Sequence, residues 1–355
     1  MTLPDPAAPR KRPRRRWLFL PYAVVVIAIF VWSILWLEIR NQVALAMDRT
    51  VTEARAHGMD LGWKARAIGG YPFRIEVTLT GFHASEPSGW SVSAPSLKAI
   101  ANAYEVNHWV AVVEGGADFT RPGAGVTHVT GQAIRASFVG QGLGGGEAAP
   151  RIVVEGLGLT FATDPGVKPF PLTTLAHGEI FTRTEPDGRM DAGLLLQDAQ
   201  PRASSVEAPS LLADLTADRP FTVLWQGIVS HPTAFTGASA HDAALAWSHA
   251  GGTVTTVRAG MSSGSRGMGM RPGVLSLDPD GRVSGQVGLV FRGADGGPVR
   301  AMGQDHLIDP LAAFAAALIL DARAALAPRA EADLTFQAGV TTLGPVAIAP
   351  APKPF

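Results

Sequence analysis

The chain reads as a mainly β protein with a few helices, an N-terminal transmembrane helix followed by a curved, largely antiparallel sheet of groove-like or sandwich-like form. Three observations predict this. The stretch WLFLPYAVVVIAIFVWSILWL, from Trp17 to Leu37, holds no charged side chain. Beyond about residue 58 apolar and polar residues alternate with a period of two, the pattern of half-buried strands. The composition is rich in turn formers, with 40 Gly and 27 Pro, yet at 46% hydrophobic and 17% charged it is too apolar to be disordered.

The apolar run is long enough, at about 1.5 Å per residue, to cross a hydrocarbon core of roughly 30 Å. Trp17 and Tyr22 stand near one end and Trp32 and Trp36 near the other, suited to the two interfaces. Arg10, Lys11, Arg12, Arg14, Arg15 and Arg16 precede it, so residues 1–16 form a basic tail that is expected in the cytoplasm. The expected setting is therefore the inner membrane, single-pass, with the rest of the chain in the periplasm. Ala44-Leu45-Ala46 resembles a signal-peptidase site, and Arg15-Arg16 loosely resembles a twin-arginine signal. The length of the run, and Glu38 and Arg40 before that site, favour an uncleaved anchor.

Residues 38–57 continue as a juxtamembrane helix, with apolar Val43, Ala46, Met47, Val51 and Ala54 and no Gly or Pro before Gly58. Residues 58–355 form the β-rich domain, with a possible subdivision near 200–220. Its clearest strand is 73–80, where Phe73, Ile75, Val77 and Leu79 face one way and Arg74, Glu76, Thr78 and Thr80 the other. Further strands are expected at 106–113, 133–139, 152–161, 221–229, 253–258, 274–277, 283–291 and 334–337. Asp280-Gly281 marks a hairpin. Two helices are expected in this region, at 241–249 and from Pro310, capped by Asp309, to about Ala325.

Charge and motif content narrow the function. Of 30 Lys+Arg, six lie before the apolar run; from residue 39 onward 24 face 28 Asp+Glu, since Asp5 and Glu38 come earlier. A nucleic-acid partner is not expected from so acidic a body. Zero cysteines remove thiolate catalysis, cysteine-ligated metals and disulfides. Gly260-Met261-Ser262-Ser263-Gly264 matches a nucleophile elbow, but the glycines and proline after it cannot supply the required helix. Gly140-Gln141-Gly142-Leu143-Gly144-Gly145 matches a dinucleotide fingerprint, but a strand-like segment follows where the helix should start. The nine histidines show no metal-ligand spacing. Neither a catalytic residue nor a metal site nor a cofactor is assigned.

Four stretches carry a resemblance. GYPFRIEVTLTGF (residues 70–82), HDAALAWSHAGGTVTTVRA (241–259), GVLSLDPDGRVSGQVGLVFRG (273–293) and FQAGVTTLGPVAIAPAP (336–352) resemble, in the same order, segments of the uncharacterised bacterial envelope family called domain of unknown function 2125. Gly70, Tyr71, Pro72 and Phe73 form its hallmark corner. The resemblance brings no catalytic residues with it. In plan the chain is also similar to AsmA-like envelope proteins, which conduct lipid along a hydrophobic groove; that likeness is architectural.

Two roles compete. A one-faced sheet with few helices must cover its apolar side with a ligand or with itself. The first gives a lipid-binding groove lined by Phe73, Ile75, Val77 and Leu79; the second gives an envelope scaffold with a dry core and a protein partner. An enzyme is not expected.

Overall fold

The computed structural model describes residues 19–140, 150–164, 167–203, 216, 219–237, 240–292 and 329–353. The first element is one helix, α1 (Leu20–Ala56), of 37 residues. Pro21 sits in its first turn, where its missing N–H costs nothing, and the helix ends beside Gly58, at φ 77°. At about 1.5 Å per residue it measures roughly 55 Å. It runs unbroken through Glu38, so the apolar run and the juxtamembrane segment are a single rod.

Strands follow in chain order: β1 (Asp60–Gly62), β2 (Ala65–Gly69), β3 (Arg74–Ser85), β4 (Ser91–Asn102), β5 (Glu105–Glu114), β6 (Ala117–Arg121), β7 (Gly125–Thr130), β8 (Ala133–Val139), β9 (Arg151–Thr163), β10 (Leu172–Thr184) and β11 (Met190–Pro201). Then come β12 (Phe221–Val229), a 3-10 turn (Pro232–Ala234), helix α2 (Ala240–His249), β13 (Val254–Ser263), β14 (Arg266–Met270), β15 (Gly273–Leu277), β16 (Val283–Arg292), β17 (Arg329–Gln337), β18 (Val340–Leu343) and β19 (Val346–Pro350). The second predicted helix, from Pro310 to Ala325, lies outside the described residues.

Among the described residues every strand pairing is antiparallel, and pairing follows chain order once split strands are joined: β1 and β2 both pair with β3, and β7 and β8 both pair with β9. Several strands are halves of one longer strand, bent where the sequence demands it. β5 and β6 both pair with β4 and are separated by Gly115-Gly116, both at positive φ. β14 and β15 both pair with β13 and β16, separated by Arg271-Pro272, where proline cannot donate to the ladder. β11 and β12 pair directly, from Met190↔Val229 to Ala199↔Phe221. Asp278 accepts hydrogen bonds from the backbone of Asp280 and Arg282, fixing the predicted turn between β15 and β16.

The helix on the sheet is a local consequence of sequence. The first half of α1 is apolar on all sides and stands exposed, with Tyr22, Val26, Phe30 and Ile34 open. From Trp32 onward one stripe turns to the sheet: Trp36 and Val43 are buried with Ile75, Val77 and Leu79, and Trp32, Ile39 and Met47 pack around them. Spacings of three and four residues place these side chains on one helical face.

Candidate functional site

The Gly70 corner is where α1 meets the sheet. Gly70 has φ 98°, and a Cβ there would lie 2.7 Å from the Arg74 carbonyl oxygen, so the turn requires glycine. The Tyr71–Pro72 peptide is cis. The corner presents carbonyls to the helix: the Trp32 indole donates to Pro72 O at 2.9 Å and the Trp36 indole to Arg74 O at 2.9 Å. The hydroxyls of Tyr71 and Ser33 are 2.9 Å apart, and the Tyr71 ring meets Trp36 edge-on at 5.5 Å. Further down, Arg40 donates to Ile68 O and Arg66 bridges to Asp48 at 2.7 Å. The motif is a clasp for the helix.

This clasp decides the fate of the four predicted groove residues. Ile75, Val77 and Leu79 are no more than 5% exposed, beneath α1. Phe73 is 66% exposed at the corner. The expected groove lining is therefore helix-covered core at three of its positions, because the apolar stripe of residues 32–47 fits the same face of β3.

The apolar face itself does not stop there. Residues directly opposite one another in a ladder share a face, so the register traces it strand by strand. From Val77 the row passes through Ala99 and Ala111 to Ala136. It continues through Val154, Ile180, Leu194 and Trp225. It ends through Ala259, Met270 and Leu289 at Ala332. No charged or polar side chain interrupts it. With strands about 4.8 Å apart the row extends roughly 50 Å along the sheet.

Neighbouring rows on this face agree. On one side run Ile75, Ala101, Trp109, Phe138 and Ile152. On the other run Ile134, Gly156, Gly178, Leu196, Val223, Met261, Met268 and Phe291. The opposite face is different in its first half, where the row Thr78, Lys98, Val112, Arg135, Glu155, Glu179 carries the charges. Lys98 pairs with Glu76 at 2.7 Å and Arg135 with Glu155 at 2.6 Å, and His177 stands 3.2 Å from Glu155. The Arg135 guanidinium holds the Glu155 carboxyl below the usual carboxylate range.

Cover along the apolar face is uneven. Its start lies under α1, and its end is buried at Leu289, Phe291 and Ala332. A second buried cluster, Leu172, Leu175, Ala199 and Phe221, packs with Leu196, Val223 and Met261 along one flank. Between them the face is open: Phe138, Ile152, Val154 and Ile180 are exposed, Ile180 at 54%. These four belong to β8, β9 and β10 and form one patch in register. The sequence reading placed strands over 133–139 and 152–161 but drew no site from them; alternation at Ile152 and Val154 is the signal that was there to read.

The motifs set aside on sequence fall as follows. Gly260–Gly264 is the end of β13 running into the β14 hairpin, with strand on both sides of Ser262. Gly140 closes β8; Gln141 to Gly145 lies outside the described residues. Among the described residues no group of three or more His, Asp or Glu is placed to hold a metal ion.

A membrane-length helix clasped to one chain-order antiparallel sheet, with a one-sided apolar face, is the class of protein this structure defines. The model of the family described as an uncharacterized protein conserved in bacteria (DUF2125) matches residues 36–352, and the chain belongs to that family. The match begins at Trp36, so the docked part of α1 from Trp36 onward lies inside it and Trp32 just before it. No curated protein and no solved structure matches.

Proposed function

We propose that this chain is an uncleaved, membrane-anchored envelope protein that takes lipid acyl chains onto the open middle of its apolar sheet face. The observation that carries the reading is the unbroken apolar row from Val77 to Ala332, covered by protein at both ends and open at Val154 and Ile180. A patch of this kind costs about 25 cal/mol per Å² while it faces water. Acyl chains suit it, because the row begins beneath the same helix that enters the bilayer. The α1 helix is long and apolar enough to cross a membrane.

Retention of the anchor has its own support. Cleavage after Ala46 would remove Trp32, Trp36 and Val43 from the cluster and bare Ile75, Val77 and Leu79 to water. The basic residues before the apolar run favour a cytoplasmic N-terminus and a sheet on the far side, in the periplasm. The scaffold reading draws on the dry packing at both ends of the face, and in it a protein partner covers the middle.

The test uses the full chain, since α1 supplies part of the core. Wild type and Ile180→Asp are purified identically in a mild detergent, and bound lipid is extracted and counted per chain. Lipid clinging to the exposed half of α1 is common to both, so the difference reports the sheet. The reading expects clear excess lipid on wild type; equal amounts on two folded proteins contradict it and favour the scaffold.

A further inference from the structure

On the face opposite the apolar row, β12, β13, β14 and β16 enclose a basin of about 650 Å³. Register places Leu224, Gly260, Gly269 and Val290 on this face in one row and Ser262, Gly267 and Arg292 in the next. Three glycines thus make the floor. Two of them are not demanded by the backbone: a Cβ on Gly269 would meet nothing nearer than 3.9 Å and one on Gly267 nothing nearer than 3.4 Å, and neither has positive φ. Side chains would fit there, and their absence keeps the basin clear.

Arg258 and Arg292 stand on this face and line it. Neither has a carboxylate partner among the described residues, although acidic residues outnumber basic ones in the body of the chain. Their neighbour shows the contrast: Arg271 is held by Glu331 at 3.1 Å and Asp333 at 2.8 Å. Glu331 also lines the basin, with that guanidinium against it. The hydroxyls of Ser262 and Thr222 add neutral donors.

We propose that this basin binds a phosphate-bearing anion. Guanidinium groups match phosphate oxygens with paired donors, and a floor of bare backbone lets a bulky anion approach the sheet. The cavity exceeds the size of a single phosphate, which suits a diphosphate or a phosphorylated headgroup. The site is separate from the acyl-binding face and does not depend on it.

The experiment is calorimetric titration of the full chain in neutral detergent, with inorganic pyrophosphate in one arm and micelle-free dihexanoyl phosphatidic acid in the other. Saturable binding of either is expected, weakened about tenfold or more by Arg258→Gln or Arg292→Gln and abolished by Gly269→Leu, which fills the floor and keeps every charge. Arg151→Gln, on β9, loses the same charge elsewhere and leaves affinity unchanged. Pyrophosphate binding assigns a free anion; binding of the phosphatidic acid alone assigns a headgroup. Binding of neither probe overturns the proposal, and so does an equal loss in Arg151→Gln or an unaltered affinity in a folded Gly269→Leu.

Discussion

The indole of Trp36 donates a hydrogen bond to the carbonyl of Arg74 at 2.9 Å, tying the membrane-length helix to the first residue of β3. Four residues up the helix, Trp32 does the same to Pro72. Two rings on one helical face thus read two carbonyls of one corner, and the corner places β3 so that Ile75, Val77 and Leu79 meet the same helix.

Removing only the donor isolates this clasp. Trp36→Phe keeps an aromatic ring and is expected to cost about 1 kcal/mol, whereas Trp36→Ala also opens a cavity and costs about 3–5 kcal/mol. Thermal unfolding of the full chain in detergent measures both; equal small losses would show that the indole sits outside the core.

Gly70→Ala forces a Cβ against the Arg74 carbonyl oxygen at φ 98°. A loss of about 1–3 kcal/mol is expected from the strain. Gly188→Ala, at φ 81° but with nothing within 4 Å, carries backbone strain without the clash and is expected to cost less in the same melt.

His128 sits between Asp118 Oδ1 at 2.7 Å and Asp164 Oδ1 at 3.1 Å, linking β6 and β7 to the end of β9. Its hydrogen bonds to Asp118 and then Asp164 raise its pKa above the ordinary 6.5. The folded state therefore binds this proton more tightly than the unfolded one. The stabilisation is fully present below about pH 6.5 and is lost as pH rises through the raised folded value. His128→Gln is expected to flatten the melting temperature over that upper range, and a ring-proton NMR titration with an unshifted midpoint would refute the clamp.

Retention of the anchor predicts the mass of the native protein. Intact mass spectrometry of chain purified from membranes should show residues beyond the Ala44-Leu45-Ala46 site still attached to their N-terminal neighbours. A species beginning at Met47 would overturn the reading of α1 as one rod.

How much of this was legible in the sequence depends on local contrast. The transmembrane-length run and β3 were plain, because no charge breaks the first and polar alternation is strict in the second. β3 nonetheless runs on to Ser85 through Gly81, at φ 62°, which hid its second half. β4 was missed: Pro95 and small residues blur its alternation. β10 and β11 were missed for a different reason. Leu194, Leu195 and Leu196 are consecutive and half-buried, so period two vanishes, although Pro186-Asp187-Gly188 between the strands was a readable hairpin turn. The candidate site was half legible. Period two showed that β3 has an apolar face, but which part of that face lies under α1 depends on how a helix stripe seats on a sheet, a long-range packing choice that spacing alone does not encode. The row from Val77 to Ala332 needs the register of every intervening ladder, and only the fold supplies it.

Acyl chains seated on the open middle of the apolar face can be captured covalently. A fatty acid carrying a photoreactive diazirine, irradiated with the full chain in detergent and mapped by peptide mass spectrometry, tests this seating most directly. Adducts are expected on the β8–β10 patch of Phe138, Ile152, Val154 and Ile180, falling severalfold in a folded Ile180→Asp variant. Adducts confined to the exposed half of α1, or equally frequent on Val110 and Val112 of the opposite face, would contradict that seating.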